Sequence, residues 1–458
     1  MNREDHQLLS PTMRADAPAD DTVARMLEGA DGPHELSERI AAINREIVRW
    51  ESNGMLAAWQ PLPDSNLDPR AVAALKDYLT RCQALPEWAD PVKIARAEAL
   101  FMDMSMLSCT LLFCASLPEC YVLPDLSAVL HAAGQLEAHT DYRVRSTAAM
   151  IFPVMMKGGL TTPDGAGVAQ TLKVRLIHAT IRHLILRGHP GDALGAAPIE
   201  SMNPAGGGIY HQLYAHGWDT ARNGLPCNQE ELAYTLLTFN YVFLRGLRSL
   251  GLGLERADEE AYLHAWNVMA HVLGVERGLM SWTMEDAGRD FAAMQARGRL
   301  LVRQPDPRPA LAAALIKAIE NEIPVAFLKP FPTLLTRLLC GKDATEDLGL
   351  TARLPLASRL LFTGGLGAVR AIDWTVRRVV PGFSITRMCT RVLGYRLVTR
   401  FLMDETRPLR LPPALLEQVS DATDSWRHDP QAPRWVNRLE ARLNAGADAA
   451  ASGTATTR

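Results

Sequence analysis

The sequence predicts an all-α protein built as a single large helical domain. Three observations carry this. Apolar residues recur at helical spacing along most of the 458-residue chain, most clearly Leu172, Leu176, Ile177, Ile181, Leu184 and Ile185. No segment alternates apolar and polar residues as a half-buried strand would. Proline, glycine and short polar residues fall where helices begin and end. No repeat of 20–50 residues is visible.

Taken in order, residues 1–34 are rich in Asp, Ala, Pro and Gly and read as a disordered segment. The helical domain is expected over 35–444. Ser37-Glu-Arg-Ile, preceded by Glu35, reads as a capping box opening a helix to Trp50. After the Pro61-Leu-Pro-Asp turn, Asp68 caps a helix with Pro69 in its first turn. A helix from about Pro91 to Leu117 starts at Asp90 and stops at Pro118; another follows to Leu136. Asp141 opens a helix to Met156. Gly158-Gly, Pro163 and Gly165 form a turn, and a helix then runs from about Val168 to Arg187, closed by Gly188 and Pro190. Residues 189–226 are a long Gly/Pro-rich stretch, of the kind that is functional or mobile in compact domains. Asn228, with Gln229, Glu230 and Glu231 in its first turn, caps a long helix to Leu250. Further helices cover Glu259–Val272, Trp282–Arg297, Pro309–Ile323 and Pro413–Leu443. Residues 445–458 read as a disordered tail.

Composition excludes several function classes. With 48% hydrophobic and 22% charged residues the chain reads as soluble and globular, and a net charge of −3 gives no overall attraction to nucleic acid. Seven cysteines at no CxxC spacing indicate neither a disulfide framework nor a zinc ribbon, and fit reduced thiols in the cytoplasm. Acids stand in Met1-Asn-Arg-Glu-Asp-His where a signal peptide needs positive charge, and no h-region follows. The longest apolar run, Phe101–Leu117, is too short and polar to span a bilayer. The expectation is a cytoplasmic protein.

The chemistry centres on Lys173-Val-Arg-Leu-Ile-His-Ala-Thr-Ile-Arg-His-Leu-Ile185. His178 lies inside the apolar stripe, with Arg175 and Arg182 about one turn away on either side. An imidazole there suits iron ligation in a haem site, with the guanidiniums meeting propionates. A core histidine flanked by two snorkelling arginines fits the same pattern. His183 projects away from that face, and His211, His216 and His271 suit surface or core positions. No His-Glu-x-x-His, paired Glu-x-x-His or Gly-x-Ser-x-Gly is present.

This stretch resembles the haem helix of the latex-clearing protein (rubber oxygenase) and MpaB-type oxygenase family. Further blocks resemble that family in the same order: Arg143-Val-Arg-Ser-Thr147 with Met155-Met-Lys-Gly-Gly-Leu160 and Pro163-Asp-Gly-Ala-Gly167; Gly224-Leu-Pro-Cys-Asn-Gln-Glu-Glu-Leu-Ala-Tyr-Thr-Leu-Leu-Thr-Phe239; and Ala265-Trp-Asn-Val-Met-Ala-His-Val-Leu-Gly-Val275. The resemblance covers about 117–294. It implies a globin-like helical core and a non-covalent haem b whose iron is held by His178. Arg175 and Arg182 would lie near the haem, and Arg143 and Thr147 would face it from the distal helix. The implied reaction is oxygenation, or oxidative cleavage by dioxygen, of an unsaturated isoprenoid or lipid-like substrate; the alternative is a haem-binding sensor or carrier without turnover. Rubber-cleaving members can place a lysine before the distal threonine as a second iron ligand. Here it is Ser146, so rubber itself is not the expected substrate. The family's acid/base glutamate finds no match by spacing in Asp125 or Glu137; Glu230 stands in the Asn-Gln-Glu block, where a helix-start carboxylate needs no catalytic role.

One region stays outside that resemblance. Between Thr351 and Arg410 stand eleven arginines against three acids, interleaved with apolar residues at helical spacing. Such helices can rest peripherally on a membrane surface or an acidic partner. Equally, they can present a solvated face while packed on an acidic core.

Overall fold

The structure is a computed structural model that describes residues 9–132, 140–302, 305–321, 323, 326–376 and 438. Among them there is no strand, and a lone antiparallel bridge joins Ile199 and Trp218. The helices used below are α1 (Ala17–Leu27), α2 (Gly32–Ile47), α3 (Pro69–Cys82), α4 (Pro91–Asp103), α5 (Ser105–Leu111), α6 (Pro124–Ala132), α7 (Thr140–Met155), α8 (Gly167–Leu186), α9 (Ile209–Ala215), α10 (Gln229–Phe239), α11 (Tyr241–Ser249), α12 (Arg256–Leu273), α13 (Met284–Arg299), α14 (Arg308–Asn321), α15 (Phe331–Cys340) and α16 (Leu356–Val376).

Helix α8 lies at the centre. It packs against α1, α7, α9 and α12, while α1 also packs on α3 and α4 on α12. Its inner face buries Leu172, Leu176, Ala179, Leu184 and Ile185. Burying each Leu or Ile stabilises by roughly 1.5–3 kcal/mol, so this stripe alone commits α8 to the interior.

The expected caps at Asp68, Asp90 and Asn228 are present: Asp68 accepts from the Arg70 amide, Asp90 from Val92 and Lys93, and Asn228 from Glu231. Other boundaries moved. Residues 17–27 are a helix rather than a disordered segment, because Ala19, Val23, Met26 and Leu27 form a buried stripe. The Ala/Pro/Asp composition hid that periodicity. Helix α2 begins at Gly32, not Ser37; Glu35 reaches back to the Asp31 amide at 3.0 Å. The single helix expected from Pro91 to Leu117 is broken after Asp103, where the pair Pro91–Asp103 and Leu107–Cys120 bends by 88°. A π-turn, Leu112–Ser116, precedes Pro118. It accommodates a residue that lacks an N–H and crowds the carbonyl four residues back. The Cys340 thiol lies 3.8 Å from the Cys114 carbonyl and 3.7 Å from that of Ala115. The expected helix 228–250 divides at Asn240, whose side chain accepts from the Tyr241 amide. Helix α8 ends at Leu186, and Arg187, not Gly188, takes the left-handed turn with φ 55°. Its guanidinium donates to the Tyr214 and Glu200 carbonyls at 2.9 and 2.7 Å, which supports that conformation.

No single helix among the described residues is long and apolar enough to cross a membrane; the bent pair just described passes by length and composition only. Of the basic stretch, residues 377–410 lie outside the described residues, as do 445–458 and the expected helix Pro413–Leu443 apart from Arg438.

The connection between α7 and α8 is tight. The Gly167 amide donates to the Gly159 carbonyl at 2.8 Å. A Cβ on Gly159 would sit 2.0 Å from the Pro153 carbonyl oxygen, and one on Gly165 would sit 2.3 Å from that of Gly158. Backbone meets backbone here, so neither neighbour can yield cheaply. Gly159→Ala is therefore expected to cost about 2–4 kcal/mol, read as a lowered thermal-unfolding midpoint. An unchanged midpoint would show that the turn is looser than described.

Candidate functional site

Helices α7 and α8 bring the sequence candidates together. His178 lies midway along α8, and Arg143 and Thr147 lie on α7, which packs against it. Thr147 is half-buried; the side chains of Arg143 and Ser146 lie outside the described residues.

His178 is half-buried, and its Nδ1 is sealed from solvent without a hydrogen-bond partner. Burial first, and the neighbouring Arg182 cation second, pull its pKa down to about 4. The ring is thus a neutral imidazole at pH 7, with a nitrogen lone pair to offer. Val174 and Ile181, half-buried apolar residues, lie about one turn away on either side, and Ile177 is 49% exposed beside it. His183, on another face, is also pushed down to about 4 by burial. His211, on α9, keeps a sealed Nδ1 as well.

The two arginines are placed differently from the expectation. Arg175 Nε and Nη2 donate to the two carboxylate oxygens of Asp16 at 2.6 and 2.7 Å, and Nη1 donates to the Val272 carbonyl at 3.0 Å. Arg182 Nε donates to Asp20 at 2.8 Å, and Nη1 to the Pro226 and Cys227 carbonyls at 3.1 and 2.6 Å. Arg182 is 0% exposed. Both guanidiniums bond carboxylates at the start of α1, Asp16 just before its first residue and Asp20 in its first turn, and so clamp α8 to α1. Burial raises the Asp20 carboxyl to about 6 even with Arg182 beside it. Arg175 moves upward because Asp16 outweighs the opposing effect of burial.

Asp16 and Asp20 were missed by reading the sequence. Their only signal is a four-residue spacing, with Asp16 just before α1 and Asp20 in its first turn. The carboxylates weighed as acid/base groups are also engaged. Asp125 pairs with Arg297 Nη2 at 3.0 Å, and Glu230 pairs with Arg297 Nε; Glu137 lies outside the described residues. Glu231 is fully buried, with one carboxyl oxygen unpartnered, and burial pushes it well above the usual carboxylate range.

Among the described residues no group of three or more His, Cys, Asp and Glu is arranged to hold a metal ion. A lone neutral histidine fits a group that brings its other ligands with it, as a porphyrin does.

The pH response of His178 is measurable without any ligand. Its folded value, about 4, lies below the 6.5 of an ordinary imidazole, so the unfolded chain binds the proton more tightly. Its contribution to stability is full above about pH 6.5 and is lost as pH falls towards 4. Relative to His178→Phe, the wild type should lose at most about 3 kcal/mol across that window, read by urea unfolding at several pH values. A stability difference independent of pH would overturn this.

Comparison with known proteins agrees with this architecture. Residues 107–374 match the family described as ER-bound oxygenase mpaB/B'/rubber oxygenase, catalytic domain. The rubber oxygenase of Streptomyces sp. (strain K30) is 23% identical over 387 residues, 81% of this chain and 82% of that protein. A solved structure of latex clearing protein LCP in the closed state superposes with a TM-score of 0.58 at 19% identity, covering 91% of each chain. That likeness shows the fold. With more than half of its length inside the family's catalytic domain, the chain belongs to the mpaB/B'/rubber oxygenase family of oxygenases.

Proposed function

We propose that this protein is a haem b-dependent oxygenase acting with dioxygen on an unsaturated isoprenoid or lipid-like substrate, which it oxygenates or cleaves at a carbon–carbon double bond. The observation that carries the reading is His178: a neutral, half-buried imidazole in an apolar row of α8, whose Nδ1 is sealed and without a hydrogen-bond partner. Haem, when bound, would supply the binding and activation of dioxygen.

The chain's own residues supply the rest. His178 would offer one ring nitrogen to the iron of such a group and has no competing proton at neutral pH. Val174, Ile177 and Ile181 offer apolar surface to a flat apolar group and keep water from it. Thr147, on the packed helix α7, would orient a polar atom with its hydroxyl, and Arg143 would meet an acidic one. Arg175 and Arg182 hold the helix rather than the cofactor. Ser146 provides no second strong ligand, which supports a site open to small molecules on that side. The curated relative is named for rubber; for this chain a smaller unsaturated lipid fits better, because a lysine-closed site is not expected.

Reconstitution tests this. Protein mixed with haem b should develop a Soret band and take up oxygen with at least one member of a panel of unsaturated isoprenoids and fatty acids. His178→Ala should lose the band and the uptake. A full band in His178→Ala would remove the ligand assignment. A reducible haem that consumes no oxygen with any substrate would make the protein a carrier.

A further inference from the structure

We propose that Asp16, Asp20 and Asn53, all upstream of the family-matched residues 107–374, are positioning residues for His178. They form a cradle that fixes the height and rotation of α8. The inference rests on the reading of His178 as the residue that would hold the iron.

The tethers run along the whole helix, and all come from residues before position 83. At its start, Asn53 Oδ1 accepts from the Val168 and Ala169 amides at 3.0 and 3.2 Å, so a residue more than a hundred positions away caps α8. The same side chain turns its Nδ2 to the Gly159 and Thr162 carbonyls, both at 2.9 Å, in the turn that joins α7 to α8. One turn in, the buried Tyr78 hydroxyl donates to the Leu172 carbonyl at 2.9 Å. Lys173 Nζ donates to the Val48 carbonyl at 3.1 Å. Then come the Arg175–Asp16 and Arg182–Asp20 pairs, three residues before His178 and four after it. Beyond the helix end, His189 lies 3.2 Å from Asp21.

The geometry of the two pairs decides what they control. At 100° per residue, positions 175 and 182 project within about 20° of each other, on one flank of His178. A side-on carboxylate–guanidinium pair is directional. The side-on Arg175–Asp16 pair and the single Arg182 Nε–Asp20 bond, both on one flank, therefore fix the rotation of α8, and Asn53 fixes its height against the α7 turn. A rotation of about 10° would carry a ring roughly 6 Å from the helix axis by about 1 Å, enough to spoil a ligand or reaction geometry.

The test compares variants that keep the shape of a tether with a control of equal burial elsewhere. Asp16→Asn and Asp20→Asn keep size and acceptor but lose the charge-assisted bond. Asn53→Ala loses both halves of its clamp; Asn53→Asp keeps the acceptor for the α8 amides and sets an anion against the Gly159 and Thr162 carbonyls. Glu119→Gln is the control: Glu119 is fully buried and pairs with Arg245 at 2.5 Å, away from α8. In the protein without haem, at pH 7, the His178 ring resonances and amide exchange across Val174–Ile181 are measured. The cradle variants should shift or broaden the ring signals and speed exchange, and on reconstitution should weaken haem binding by about 10-fold or more. Glu119→Gln should leave all three unchanged even where it lowers the unfolding midpoint. Equal effects from Glu119→Gln, or unmoved ring signals in every cradle variant, would overturn the proposal. Should Asp20→Asn fail to fold, Asn53→Asp carries the same test without disturbing a buried ion pair. A wild type that takes up no haem would remove the function proposed above, while the ring signals of the unloaded protein still decide this one.

Discussion

The interaction on which the rest depends is the double ion pair between α1 and α8. Taking a carboxylate and a guanidinium out of water costs several kcal/mol per ion, and attraction repays it only with good geometry and further hydrogen bonds. Arg175 meets both conditions; Arg182 meets them with Nε and Nη1, while its buried Nη2 has no partner. Arg175 is held side-on by Asp16, and its third nitrogen finds the Val272 carbonyl. Arg182 adds two backbone carbonyls from the start of α10's approach to its pairing with Asp20. Each arginine thus ties α8 to α1 and also to a third segment, the end of α12 or the 226–227 turn. The remaining strain shows in Asp20, whose carboxyl burial raises to about 6 despite its partner.

The same arrangement sets the character of the histidine. An imidazole close to a buried cation does not accept a proton readily, and Arg182 adds to burial in keeping His178 neutral. Had Arg182 lacked Asp20, its buried charge would have needed another counterion. With Asp20 in place, the cation is compensated inside the protein. The apolar row of Val174, Ile177 and Ile181 can then stay apolar.

The fold class, the central helix and most helix starts were legible because they rest on local chemistry. Asp68, Asp90 and Asn228 act within their own first turn, so their signal lies within a few residues. The family resemblance was legible in residues of α7, α8, α10 and α12, and the structure places α8 against both α7 and α12. What stayed hidden depends on distant partners. Asn53 caps a helix from 115 residues away, and no local pattern marks it. The carboxylates that pair with the two arginines sit in a segment whose composition suggests disorder, so those pairs could not be read from the sequence. The break after Asp103 and the π-turn before Pro118 follow from packing, which overrode an unbroken apolar run.

It follows that the functional unit is larger than the part that marks the family. Cut to residues 107–374, the chain would keep His178, Thr147 and the glycine turn, and would lose Asp16, Asp20, Asn53 and Tyr78. Arg175 and Arg182 would remain in an apolar interior without counter-charge. Breaking a buried pair by removing one partner costs about 3–5 kcal/mol; two such losses approach the whole stability of an ordinary domain, about 5–15 kcal/mol. The face of α8 no longer covered by α1 would add to that. The family signature and the physical site therefore do not have the same boundaries: the histidine belongs to the signature, and the carboxylates that hold its helix lie upstream of it.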